Sequence, residues 1–131
     1  MRLSDLYQYR FLLKEIDKQE EELELLRTKA EKTTPTISDM PRQTGVSDRI
    51  GTCGVLIADL TKEIEKNISE CQQLRLEIER YINSIPDSET RLILRMRFIE
   101  GEGFREIADE LGFSLQTAFA RYQKFIKQAG L

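Results

Sequence analysis

Between Ser114 and Leu131 every charged residue is a cation, Arg121, Lys124 and Lys127, for a net of +3 with no acid among them. Three cations on one helix suit contact with the oxygens of a phosphate backbone, although the electrostatic grip of so few is small. The rest of the chain has the opposite sign. Residues 87–113 hold four Arg against seven acids, and residues 1–85 hold 13 Lys plus Arg against 16 Asp plus Glu. Attraction to a polyanion is therefore local to the last helix.

Other chemistry is thinly supplied. With no histidine in 131 residues, Ser-His and Cys-His pairs and His-ligated metals are excluded together. Cys53 and Cys71 form no CxxC or finger spacing, and two thiols cannot complete an all-cysteine zinc site; they read as small apolar residues in a reducing compartment. Glu20, Glu21, Glu22 and Glu24 suggest a metal cluster at first sight, but adjacent helix positions point in different directions, so a solvated face is the better reading. No catalytic residue, metal ligand, cofactor or small-molecule substrate is expected.

The elements that position the basic helix follow from composition and period. Seven Gly and three Pro are few beside 33% charged residues, which points to long helices and an all-α fold. Residues 4–32 lack both Gly and Pro, and Tyr9, Leu12, Ile16, Gln19, Leu23, Leu26 and Ala30 recur at spacings of three and four. That is a helical seam, with Ser4 as its expected cap and Pro35 closing it. Residues 33–48 have loop composition and predict a mobile connector; the alternative is an ordered loop whose Met40-Pro41-Arg42 contacts a partner. A second seam runs Ile50, Cys53, Ile57, Leu60, Ile64, Asn67, Cys71, Leu74, Ile78, Tyr81, Ile85. Its helix is expected to begin between Asp48 and Val55, blurred by Gly51 and Gly54, and to stop before Pro86.

Residues 1–85 thus predict a coiled-coil-like antiparallel hairpin, with Gln19 and Asn67 as polar interruptions that set register or partner number. A second apolar stripe, Leu56, Ile68, Leu76 and Ile82, is left over. Together with Ile64 and Ile78 it predicts a homo-oligomer interface, in a dimer or tetramer; the alternative is a monomer whose C-terminal domain covers these residues. No stretch approaches the ~20 uninterrupted apolar residues of a membrane span, and MRLSDLYQYRFLLKEIDK is too broken by charge for a signal peptide. A soluble cytoplasmic protein, without a membrane partner, is expected.

Residues 86–131 predict a separate domain of three short helices. Asp87 caps the first, which is expected to bury Leu92, Ile93, Met96 and Ile99. The second runs Phe104 to Leu111, Gly112 supplies a positive-φ turn, and Ser114 caps a third that ends near Ala129 with Ala118 and Tyr122 buried. This spacing describes either a helix-turn-helix or an ordinary three-helix bundle.

The wording decides between them. IPDSETRLILRMRFIEGEGFREIADELGFSLQTAFARYQKFIK resembles region four of bacterial RNA polymerase sigma factors, in Pro86 to Thr90, in Phe98-Ile99-Glu100-Gly101 and in Glu106 to Ser114. Over the whole chain, Ser38-Asp39-Met40-Pro41-Arg42, Ser47-Asp48-Arg49 and the long Ile- and Glu-rich helix are similar to small prophage proteins of Gram-positive bacteria, described as sigma-like late-operon regulators.

The first resemblance implies that the third helix enters the major groove, with Leu115, Gln116 and Ala120 at base-reading positions and Thr117, Arg121 and Lys124 near phosphates. Gln116 can pair bidentately with adenine. Leu115, Phe119 and Ala120 are apolar where region four carries polar residues, which confines direct reading to thymine methyls and Gln116, or turns the face to protein contact. The expected function is a phage-type DNA-binding transcription regulator, an activator rather than a repressor, in a bacterial cytoplasm. Double-stranded DNA is its partner and RNA polymerase a second candidate. Two rivals remain: a small terminase subunit, and a protein-interaction module that binds polymerase or a host factor without DNA.

Overall fold

The computed structural model describes the backbone of residues 1–32 and 44–131 and the side chains of 1–32 and 51–131. The protein is all-α, with no strand among the described residues. Helix α1 spans Leu3–Lys32, α2 Thr44–Asn83, α3 Ser88–Leu94, α4 Phe104–Leu111 and α5 Leu115–Gln128; a π-helical turn, Arg95–Ile99, continues α3.

Freedom from Gly and Pro lets α1 run unbroken for 30 residues. Its first turn is closed by Asp5, whose carboxylate accepts the Arg2 N–H at 3.0 Å. Ser4, the expected cap, already lies inside the helix. Helix α2 begins at Thr44, earlier than expected, and carries Gly51 and Gly54 within it. An internal glycine costs up to ~1 kcal/mol relative to alanine yet keeps its backbone hydrogen bonds, so these two, with Gly45 in the first turn, do not stop a 40-residue helix. The rest of the expected loop, with Met40-Pro41-Arg42, lies outside the described residues. At the far end α2 stops at Asn83, three residues short of Pro86.

The chain divides into two compact units, Lys14–Ser69 and Met1–Leu13 with Glu70–Leu131. In the first, α1 runs out and α2 returns, so their seams meet antiparallel. Ile16, Leu23 and Ile64 are buried there. Asn67, 8% exposed, donates from Nδ2 to Oε1 of Gln19 at 2.8 Å. The two polar interruptions are thus each other's partners, and any shift of register would leave both amides short of a hydrogen bond.

The second unit is larger than the 86–131 segment expected to stand alone. Leu6, Tyr9 and Leu12 of α1 are buried in it, as are Cys71, Ile78 and Ile82 of α2, alongside Ile93, Leu94, Met96, Phe98, Ile107, Ala118 and Tyr122. Burial pushes the Cys71 thiol up.

Two expectations are corrected here. Ile64, Ile78 and Ile82 are buried within the single chain and are not open to a second copy; for Ile78 and Ile82 the C-terminal helices belong to the same unit. Of the proposed oligomer surface Leu56 and Leu76 stay exposed and Ile68 is half-buried. In α3, Leu92 is exposed while Leu94 and Phe98 are fully buried, and Ile99 is only half-buried. The π turn accounts for the exchange of Ile99 for Phe98: it adds one residue to the hydrogen-bonded ring, with the Glu100 N–H reaching Arg95 O at 3.0 Å, and so rotates the residues within it.

Candidate nucleic-acid interface

The turn between α4 and α5 is built from three residues. Gly112, at φ 73°, takes the left-handed position that ends α4, and the Phe113 N–H returns to Ala108 O at 2.8 Å. Ser114 then caps α5: its Oγ accepts the Thr117 N–H at 3.1 Å, and its hydroxyl donates to Thr117 Oγ1 at 2.8 Å. Ile107 and Ala108 of α4 and Ala118 and Tyr122 of α5 are buried, which fixes the faces these helices turn inward.

The α3 start is held by Asp87, which accepts from the Thr90 hydroxyl at 2.6 Å and the Thr90 N–H at 3.1 Å; those bonds hold its carboxyl below the usual aspartate range. Arg91 donates to the carbonyls of Ile85 (2.6 Å) and Pro86 (2.9 Å), tying α3 to the end of α2.

Helix α1 holds the back of this assembly. Tyr7 and Tyr122 share a hydroxyl hydrogen bond of 3.2 Å, and the Tyr7 ring meets Phe98 edge-on at 5.2 Å. Burial, reinforced by Tyr7, pushes the Tyr122 phenol well above its ordinary value. Arg10 donates to Ile99 O at 3.1 Å, across Gly101, whose φ of 75° and missing Cβ leave room for the guanidinium.

The outer face of α5 presents Leu115 (45% exposed), Gln116, Phe119 (41% exposed), Ala120 and Lys124. Phe119 packs edge-on to Phe104 at 5.1 Å, and Arg97 lies 4.5 Å from the centre of the Phe104 ring. Five of the six residues assigned to DNA contact from the sequence are exposed together; Thr117 is half-buried, with its hydroxyl taken by Ser114. Arg121 is exposed but engaged, in an ion pair with Glu89 of α3 and 4.8 Å from the centre of the Phe113 ring.

Glu89, Phe113, Tyr7 and Arg10 escape sequence reasoning. Glu89 and Arg121 are 32 positions apart and Tyr7 and Tyr122 are 115 apart, so no local pattern signals either pair. A further feature lies between the π turn and α4: Glu102 Oε2 is buried without a hydrogen-bond partner. Burial, and then the charges of Glu110, Glu100 and Glu106, push this carboxyl up. Glu20, Glu21, Glu22 and Glu24 are exposed, and Glu21 pairs with Lys18 at 3.6 Å. Among the described residues no group of three His, Cys, Asp or Glu side chains could hold a metal ion, and no helix is long and apolar enough to cross a membrane.

A family model matches residues 32–129, which take in α2 to α5 and so the whole α4–Gly112–α5 arrangement. The chain belongs to that family, described as Protein of unknown function (DUF1492). No curated protein and no solved structure matches the chain. The DUF1492 match begins at the last residue of α1, so Tyr7 and Arg10, which bond Tyr122 and the Ile99 carbonyl, lie outside it.

Proposed function

We propose that this protein is a DNA-binding transcription regulator of phage type, an activator rather than a repressor, whose α5 enters the major groove of double-stranded DNA. The observation that carries the reading is the α4–Gly112–Ser114–α5 turn, with the first two turns of α5 exposed opposite a buried Ala118–Tyr122 face. On this reading Gln116 pairs with adenine, Leu115 and Ala120 touch bases, and Lys124 meets a phosphate. Arg121 reaches a phosphate only on leaving Glu89. With so few cations on α5, useful affinity requires two domains on one duplex, and hence a second copy of the chain. RNA polymerase is the second proposed partner.

Fluorescence anisotropy on duplex DNA across a salt series tests this. Gln116→Ala is expected to lose ~1–3 kcal/mol of discrimination at a selected site. Lys124→Ala is expected to weaken all sequences alike and to lower the salt slope by about one. Failure of the parent to bind any duplex at low salt would overturn the reading. It would favour protein contact instead, to which the exposed Leu115 and Phe119 are suited.

A further inference from the structure

Resting on the DNA-binding reading above, we infer that α5 reads A·T base pairs, through thymine methyl groups and adenine, and makes no contact that selects guanine or cytosine. Guanine is read through O6 and N7 by an Arg or Lys fork, and cytosine by a carboxylate accepting from N4. In the first two turns of α5 the one cation is Arg121, which is exposed but engaged by Glu89 on α3 and set beside the Phe113 ring. No acid occurs between Ser114 and Leu131, so the cytosine N4 donor meets no carboxylate acceptor there.

The small hydroxyls are also spent within the protein. Ser114 Oγ accepts the Thr117 N–H and spends its proton on Thr117 Oγ1, and that bond holds the half-buried Thr117 hydroxyl against the cap. Exposed on these turns without such an engagement are Leu115, Gln116 and Ala120, with Phe119 exposed beside Phe104. An amide matches the N6 and N7 of adenine, and hydrocarbon matches the C5-methyl of thymine. Phe119 is held against Phe104, so its apolar surface is presented with little rotamer freedom left to lose. Lys124 stands a turn beyond the N-terminal residues that reach base edges in this docking mode, and serves phosphate.

The test uses the full-length protein and a random-sequence duplex pool. Rounds of selection should enrich A·T-rich cores. The selected duplex made with uracil in place of thymine, which removes only the methyl, should bind about fourfold more weakly for each methyl buried. Leu115→Ala, at an exposed position and so neutral to folding, should narrow the thymine–uracil difference while circular dichroism stays unchanged. A selected core containing G·C pairs that cannot be replaced overturns the inference and leaves DNA binding standing. So does equal affinity for the thymine and uracil duplexes, or binding to the pool without enrichment. No binding to the pool at low salt overturns the DNA-binding reading and this inference together.

Discussion

Gly112 and Gly54 are both glycines near helix structure, and the physics assigns them opposite signs. At Gly112 the φ of 73° is a conformation that L side chains adopt at a cost of about 1–2 kcal/mol, so Gly112→Ala should lower stability by that amount in urea titration. Gly54 lies inside α2 with open space where a Cβ would be, so Gly54→Ala should raise stability by about 0.5–1 kcal/mol. Asp87 and Glu102 also differ in sign. Asp87 is depressed in the folded chain, so its contribution is present above the ordinary aspartate value and is lost as pH falls through the folded one. Glu102 is raised: the folded chain holds that proton more tightly, and stability falls as pH climbs from the ordinary 4.5 through the raised value. Glu102→Gln should remove this second slope, read as urea midpoints that change less than the parent's between about pH 4 and pH 7.

Along α2, two residues apart, Leu76 and Ile78 belong to different surfaces. Ile78 is fully buried and Leu76 is exposed. Ile78→Ala should cost about 2–5 kcal/mol through lost transfer energy and a residual cavity, whereas Leu76→Ala should stay within about 0.5 kcal/mol in the isolated chain. Thermal or urea unfolding of the two variants checks the contrast, and equal losses would contradict the burial described. The element ends were largely legible: the caps at Asp87 and Ser114 and the positive φ at Gly112 follow from side-chain chemistry within three residues of the turn. The start of α2 and the π turn were not. Glycine weakens a helix without ending it, and a π turn has no sequence period of its own.

For the whole molecule, the surfaces left to a second copy are narrower than the period of α2 suggested. Among the described residues of the Lys14–Ser69 unit, Leu25, Val55 and Leu56 are the exposed large apolar ones, and the proposed binding of two domains to one duplex would use such a surface. Light scattering on the full chain at tens of micromolar is expected to give a dimer or tetramer. Leu56→Asp should move that mass toward the monomer with helicity retained, since Leu56 lies outside the core. A stable monomer would remove the self-association proposal, and a ring-sized assembly would favour the small-terminase reading over regulation.

The helical period, the proline and glycine punctuation and the cap residues determined, without any structure, that the protein is all-α and where most of its helices lie, because each of those signals acts within a turn or two of chain. Resemblance and spacing put six residues on α5, and five of them are exposed there. Their partners within the chain were not legible: Arg121 reads as a free cation until Glu89, from another helix, is seen beside it, and Thr117 Oγ1 as an unengaged acceptor until Ser114 is. A hydrophobic stripe likewise states that a face must be covered and is silent about what covers it. Only the tertiary structure decided that Ile78 and Ile82 are buried within the chain itself, that Asn67 meets Gln19, and that Tyr7 and Arg10 of α1 reach Tyr122 of α5 and the Ile99 carbonyl of the π turn. Those contacts join residues dozens of positions apart, and nothing in the local physics of either partner distinguishes them before the chain is folded.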